Sequence, residues 1–110
     1  MASIFSRILA GEIPGDIVYQ DDHVFAIRDI HPQAPVHLLI IPKTEISGIA
    51  AVPEVGDHQH ILNAARLIGE QLGLTNGYRL VINQGPDAGQ TVFHLHAHLL
   101  AGRPMSGDFA

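Results

Sequence analysis

The spacing of apolar residues along the chain predicts two helices and five strands. Between Ile61 and Leu72, apolar residues recur at intervals of three or four, which predicts a long helix from about Val55 or Asp57 to Leu72. A shorter helix is predicted to begin after Ser3, whose hydroxyl suits an N-cap. Five apolar runs bounded by glycine, proline or acidic residues predict strands. These runs are Ile17–Gln20, Val24–Arg28, Val36–Ile41, Tyr78–Asn83 and Val92–Leu100.

The order of these elements decides the fold class. Strands follow one another directly at both ends of the chain, with one major helix between them, and a further helical turn is predicted around Ile46–Ala51. Repeated strand–helix–strand units would instead indicate a parallel sheet. We therefore predict an α+β fold in which a five-stranded, mainly antiparallel sheet carries one long helix and one or two short ones. A length of 110 residues fits a single domain over residues 1–110.

Composition excludes several classes of function. Six basic and eleven acidic residues give a net charge of −5, so the chain lacks the basic surface that polymeric nucleic acid requires. The chain contains no cysteine, which excludes thiolate nucleophiles and thiolate metal ligands. Ser6 and Arg7 interrupt the apolar N-terminus, so neither a signal peptide nor a membrane span is predicted there. We expect a cytoplasmic protein without a membrane partner, in which a second subunit covers surplus apolar surface.

The candidate chemistry is concentrated in the last predicted strand, where His94, His96 and His98 alternate with apolar residues. Because side chains alternate between the faces of a strand, the three imidazoles are expected on one face. Adjacent imidazoles resist joint protonation, so at least one is expected to be neutral at pH 7 and able to act as a nucleophile. The alternatives are a solvent-facing strand and a metal site. Strand rise separates the outer two histidines by about 13 Å, too far to share one ion, so we predict no metal and no other cofactor.

Two further features lie close to this run in the predicted fold. The loop from Gly85 to Thr91 contains two glycines that allow a tight turn and can present backbone N–H groups to a phosphate. Gly-Pro-Asp is also an ordinary turn sequence, so only the position of the loop before the histidines supports a phosphate-binding role. His37 lies within the third predicted strand, where it can orient one of the three imidazoles.

The alternating histidines make the chain resemble the histidine triad (HIT) family. Residues 94–100 match the family signature of histidines that alternate with apolar residues, and other segments resemble the Hint branch of purine nucleoside phosphoramidases. These segments are Ile4–Ile8, Glu12–Pro14, Tyr19–Asp22, Asp29–His37 and Gly89–Phe93. The resemblance implies a HIT-like fold and a homodimer. It also implies cleavage of the P–N bond of purine nucleoside 5′-phosphoramidates to a nucleoside monophosphate and an amine.

The resemblance further implies a role for each residue of the site. His96 would attack phosphorus to form a nucleotidyl-histidine intermediate, His98 would contact the phosphate, and His94 and His37 would support them. Asp29 would hold the ribose hydroxyls. Other nucleotide-binding positions implied by the resemblance are Phe5, Ile8, Ile13, Ile30 and Leu39 around the purine, and Asn83, Gly89, Gln90 and Thr91 beside the phosphate.

The chain departs from the Hint pattern in places that bear on specificity. Ile27 stands where an aromatic residue often flanks the base, Ala101 replaces a glycine after the triad, and the chain ends soon after Met105. Two other functions stay open at this point. One is hydrolysis of dinucleoside polyphosphates, and the other is nucleotide binding by a regulatory module with little turnover.

Overall fold

Five antiparallel strands form the framework of the fold, which a computed structural model describes for residues 2–108. The strands are β1 (Ile17–Gln20), β2 (Val24–Arg28), β3 (Val36–Pro42), β4 (Arg79–Val81) and β5 (Ala97–Ala101). They lie side by side in the order β1-β2-β3-β5-β4, and every neighbouring pair is antiparallel. The predicted α+β class with a five-stranded sheet is confirmed, and the bounds of β1 and β2 are those predicted.

Two α-helices accompany the sheet, α1 (Ile4–Leu9) and α2 (Ile61–Gln71). Ser3 caps α1, because its Oγ accepts a hydrogen bond from the Ser6 N–H at 3.0 Å, as predicted. The long helix is shorter than predicted, since its first turn, Asp57–His60, is a 3-10 turn. Two more 3-10 turns occur at Ile49–Ala51 and Pro86–Ala88. No helix among residues 2–108 has the length and apolar character needed to cross a membrane.

Each face of the sheet carries its own apolar cluster. On one face α2 packs against β3 and β5, and its Ala65 and Ile68 are buried with Leu38 and Leu99 of the sheet. On the other face Phe5 of α1 joins the second cluster. The remaining buried residues of that cluster are Phe25, Ile27, Leu39 and Ile41. Because Leu39 lies directly opposite His98 in the β3–β5 ladder, His98 shares the α1 face with this second cluster.

The last strand begins at Ala97, five residues later than predicted. The β3–β5 ladder pairs Ile40 with Ala97, so a longer β5 would bring Leu95 opposite Pro42. Proline has no N–H to donate to a ladder, and the Leu95 N–H instead donates to the Ile46 carbonyl at 2.6 Å. The chain before Ala97 therefore leaves the sheet. The prediction that all three histidines of the run lie in one strand is wrong, since only His98 does.

Strand β4 is also shorter than the predicted Tyr78–Asn83. Its ladder with β5 pairs Arg79 with Leu100 and Val81 with His98. Continuing it to Asn83 would require a strand partner at His96, which lies before the start of β5. The early end of β4 thus follows from the late start of β5.

Candidate active site

The three histidines of the run occupy unequal environments. His98 and His96 are half-buried, and their ring centroids lie 5.1 Å apart. His94 is fully buried, with 0% of its surface exposed. Phe5 contacts both of the histidines that precede β5, with ring centroids 5.0 Å from His96 and 5.8 Å from His94. One helix side chain therefore supports two members of the run.

Both ring nitrogens of His94 are engaged. Its Nε2 lies 2.7 Å from the Pro42 carbonyl oxygen, which can only accept, so Nε2 carries the proton. Its Nδ1 is consequently an acceptor, and the Ser3 hydroxyl lies 2.6 Å away in a position to donate to it. Burial lowers the pKa of His94 below its ordinary value, which favours the neutral ring. The sequence identified Ser3 as a helix cap but gave no sign of this second contact.

The orientation of His96 is set by the backbone of His94. The Nδ1 of His96 lies 2.8 Å from the His94 carbonyl oxygen, so Nδ1 carries the proton when the ring is neutral. The lone pair of the neutral ring is then at Nε2. A neutral imidazole with its lone pair on the free nitrogen is the form that can act as a nucleophile.

His98 is held from the side by His37 of β3. The Gln33 N–H donates to the Nδ1 of His37 at 3.0 Å, so a neutral His37 carries its proton at Nε2. That Nε2 lies 2.9 Å from the Nδ1 of His98, which therefore accepts and leaves its own proton at Nε2. Burial, the nearby His96 ring and the His37 ring lower the pKa of His98. In this arrangement His98 is a neutral imidazole whose Nε2–H can donate a hydrogen bond.

Asp29 lies just beyond the end of β2 and joins the same group of side chains. Its Oδ2 is 3.4 Å from the Nε2 of His37, and its Oδ1 accepts from the His31 N–H at 2.8 Å. Asp29, His37 and His98 each place one potential ligand atom within 4.8 Å of the others. Imidazole nitrogens with a carboxylate oxygen match the donors that zinc prefers. The sequence did not bring this carboxylate together with His37, and its prediction of no metal stays a prediction.

The glycine-containing loop is a closed turn braced from inside. Gly85 and Gly89 adopt positive φ angles of 83° and 85°. The buried Gln90 accepts from the Gly85 N–H at 2.8 Å and donates to the carbonyls of Ser47 and Val92. These three bonds occupy the Gln90 amide within the protein. At the other phosphate-side positions, Asn83 is half-buried, whereas Gly89 and Thr91 are exposed.

The residues expected around the purine fall into two groups. Phe5 and Leu39 are buried in the cluster on the α1 face, and Ile8 packs against it. Ile13 is half-buried and is not part of that cluster, while Ile30 is 85% exposed. The structure therefore brings together the inner part of the expected apolar slot and leaves its outer part open.

Comparison with known proteins agrees with this geometry. The family described as HIT domain matches residues 10–105. The chain belongs to the HIT family. It is 46% identical over 108 residues to the "14 kDa zinc-binding protein" of Zea mays, covering 94% of this chain and 84% of the relative. It is 44% identical over 108 residues to "Adenylylsulfatase HINT1" of Arabidopsis thaliana, covering 94% and 74% of the two chains.

A solved structure shares the fold over nearly the whole chain. The HIT family hydrolase from Clostridium thermocellum superposes with a TM-score of 0.92 at 45% identity, covering 98% of this chain and 96% of that one. The family predicted from the alternating histidines is thus confirmed, together with its fold. This fold is shared with a solved structure that is described as a HIT family hydrolase.

Proposed function

We propose that this HIT protein hydrolyses purine nucleoside 5′-phosphoramidates, with His96 as the nucleophile. The observation that carries the proposal is the hydrogen bond between His96 Nδ1 and the His94 carbonyl, which leaves the lone pair at Nε2. Since His94 is buried and bonded at both ring nitrogens, that carbonyl sits on a fixed support. Preorganisation of this kind reduces the reorganisation that nucleophilic attack requires.

The proposed reaction has two displacements at phosphorus. In the first, Nε2 of His96 bonds to phosphorus, and the P–N bond breaks with its electron pair going to the amine nitrogen, which takes a proton from solvent. The positive charge on the nucleotidyl-imidazole ring is stabilised by the His94 carbonyl at Nδ1. In the second, water attacks phosphorus and releases the nucleoside monophosphate, neutral His96 and one proton.

His98 and Asp29 are assigned the supporting roles. His98 donates from Nε2 to a phosphate oxygen, because its Nδ1 is occupied by His37. Asp29 accepts from the ribose hydroxyls. The purine slot is formed by five apolar side chains, those of Phe5, Ile8, Ile13, Ile30 and Leu39. Four residues shape the phosphate side of the site, namely Asn83, Gly89, Gln90 and Thr91. Among them, Gln90 acts by holding the loop closed.

The experiment compares turnover of adenosine 5′-phosphoramidate with that of diadenosine triphosphate. We expect the phosphoramidate to have the higher kcat/KM. A strong preference for the triphosphate would assign the protein to polyphosphate hydrolysis, and no turnover of either would favour a binding module. His96→Ala is the control, and it should abolish turnover while retaining AMP affinity within about tenfold, or about 1.4 kcal/mol.

We further propose that the protein works in the cytoplasm as a homodimer. Strand β4 lies at an edge of the sheet. Large apolar side chains are exposed next to β4, on α2 and at the end of α2. Leu62 is 71% exposed, Leu72 48% and Tyr78 40%. Unpaired strand edges and exposed apolar surface favour association with a second copy. Light scattering after size exclusion should give twice the 11.9 kDa chain mass.

A further inference from the structure

Glu45 contacts the start of α1 from a distant part of the chain. It lies in the segment that follows β3, and its Oε1 accepts a hydrogen bond from the Ser3 N–H at 2.5 Å, across 42 positions of the sequence. The side chain is exposed, so burial does not force this contact. Hydrogen bonds from the Ser3 N–H and then from the Ser6 hydroxyl lower the pKa of Glu45, because they favour the ionised carboxylate.

The sequence of α1 lacks the carboxylate that Glu45 supplies. In a capping box, the N-cap side chain accepts from the N–H three residues later, and a Glu or Gln at that later position accepts from the N-cap N–H. The first half is present in α1, where the Ser3 hydroxyl accepts from the Ser6 N–H. The second half is missing from the helix itself, since its first turn contains no acidic residue and Ser6 occupies the third helical position. Glu45 therefore completes the capping box from outside the helix.

The segment that carries Glu45 also holds one edge of the buried His94 ring. Pro42, shortly before Glu45 in the chain, accepts from Nε2 of that ring at 2.7 Å. The Ser3 hydroxyl lies 2.6 Å from Nδ1, at the other edge. Because Glu45 is bonded to the backbone of Ser3, it connects the two groups that hold the ring. The position of the Ser3 hydroxyl relative to the Pro42 carbonyl thus depends on Glu45.

Both supports of His94 act on the proposed nucleophile. The His94 carbonyl accepts from Nδ1 of His96 at 2.8 Å, which sets the tautomer of that ring. Helix α1 also contacts His96 directly, because the Phe5 ring lies edge-on to it with centroids 5.0 Å apart. A shift at the start of α1 would disturb the ring that carries this carbonyl and the side chain that packs beside His96.

We propose that Glu45 is a positioning residue for the nucleophile, because its bond to the Ser3 N–H fixes the start of α1 and with it the support of His94 and His96. The inference rests on the proposed phosphoramidase function. Glu45 is not among the residues assigned to the nucleotide, so its effect passes through Ser3 and His94. Phe5 is buried in the cluster on the α1 face and anchors the middle of the helix without Glu45. Loss of the carboxylate should therefore reduce kcat rather than nucleotide affinity.

The first test compares two substitutions of Glu45. Glu45→Ala removes the acceptor, whereas Glu45→Gln keeps one acceptor oxygen without the charge. We expect Glu45→Ala to lower kcat for adenosine 5′-phosphoramidate about tenfold, since a displacement of about 1 Å at a reacting group can cost about a hundredfold. Glu45→Gln should stay within about twofold of the parent protein. In the His96→Ala background, either substitution should change AMP affinity by less than about threefold.

A second substitution tests the capping relation itself. Ser6→Glu places a carboxylate at the third helical position and should restore kcat of the Glu45→Ala protein to within about threefold of the parent. Glu12→Ala is the matched control, because Glu12 is an exposed carboxylate that pairs with Arg7 of the same helix at 3.5 Å. It should leave kcat unchanged. An unaltered kcat in Glu45→Ala, an equal loss in Glu12→Ala, or no restoration by Ser6→Glu would each overturn the proposal.

The ¹⁵N resonance of His94 Nδ1 reports the same contact without turnover. This nitrogen lies within hydrogen-bond distance of the Ser3 hydroxyl, and the Ser3→Ala protein gives the reference for loss of that donor. In Glu45→Ala the resonance should move toward this reference, whereas Glu45→Gln should keep the parent value. An unmoved resonance overturns the proposal. If the resonance moves but the parent protein hydrolyses no phosphoramidate, the positioning of His94 by Glu45 stands and the proposed phosphoramidase function fails.

Discussion

Replacing Ser3 with alanine should destabilise the protein far more than an exposed helix-cap substitution does. The Ser3 hydroxyl oxygen accepts from the Ser6 N–H at 3.0 Å and caps α1. The same hydroxyl lies 2.6 Å from Nδ1 of His94. Since the Nε2 proton of His94 goes to the Pro42 carbonyl, Nδ1 needs a donor, and Ser3 supplies it. One substitution therefore removes two interactions.

The size of the effect follows from these two losses. Loss of an N-cap to alanine costs about 1 kcal/mol. A buried acceptor left without a partner costs about 1–3 kcal/mol, and His94 has no exposed surface through which water could replace the hydroxyl. We expect Ser3→Ala to lower the free energy of unfolding by about 2–4 kcal/mol. Domains of this kind have about 5–15 kcal/mol in total, so the loss is a large fraction of the stability.

Urea denaturation at pH 7.5 measures the effect, and two further substitutions separate its parts. Ser3→Gly costs only a few tenths of a kcal/mol as a cap, about 0.3, but removes the same donor from His94. It should therefore lose about 1–3 kcal/mol. Ser3→Thr keeps a hydroxyl and should stay within about 1 kcal/mol of the parent protein. A Ser3→Gly protein as stable as the parent would show that the His94 contact contributes nothing.

Three further outcomes are expected. The pKa values of His94 and His98 are lowered in the folded protein. Below a pH of about 6.5, the histidine pKa of an unfolded chain, the unfolded state therefore binds more protons than the folded state. Stability should be constant above that pH and fall as the pH drops from about 6.5 toward 5, and a flat urea midpoint over this window would contradict the assignment. Gly102→Ala should cost about 1–3 kcal/mol, because φ is +100° and a Cβ would lie 2.8 Å from that of Pro35. Gly107→Ala is the control with open space around it. Turnover should survive dialysis against EDTA, whereas loss on chelation and recovery with zinc would make the cluster beside His98 a functional metal site.

Local signals in the sequence predicted much of the fold. Ser3 supplies a capping oxygen within three residues of the N–H that it binds, and β1 and β2 are separated by a short acidic turn. Such features depend on neighbours in the chain, so the pattern of polar and apolar residues contains them. The family followed from the same kind of signal, the alternation of histidines with apolar residues.

Interactions between distant residues could not be predicted in this way. The start of β5 depends on Pro42, which lies more than fifty residues earlier in the chain. Pro42 is the last residue of β3 and has no N–H to extend the β3–β5 ladder. The meeting of Asp29 with His37 depends on how β2 and β3 pair.

The end of the β3–β5 ladder also explains why similar histidines do different work. In a continuous strand, the carbonyl of His94 would be available to a neighbouring strand, and the three rings would be equivalent. Because the chain leaves the sheet before Ala97, that carbonyl is outside the strand ladder and accepts from Nδ1 of His96. The Pro42 carbonyl in turn accepts from Nε2 of His94. Pro42 thus bonds to the ring of the residue whose carbonyl sets the tautomer of the proposed nucleophile, so the residue at the end of the ladder acts on His96 through His94.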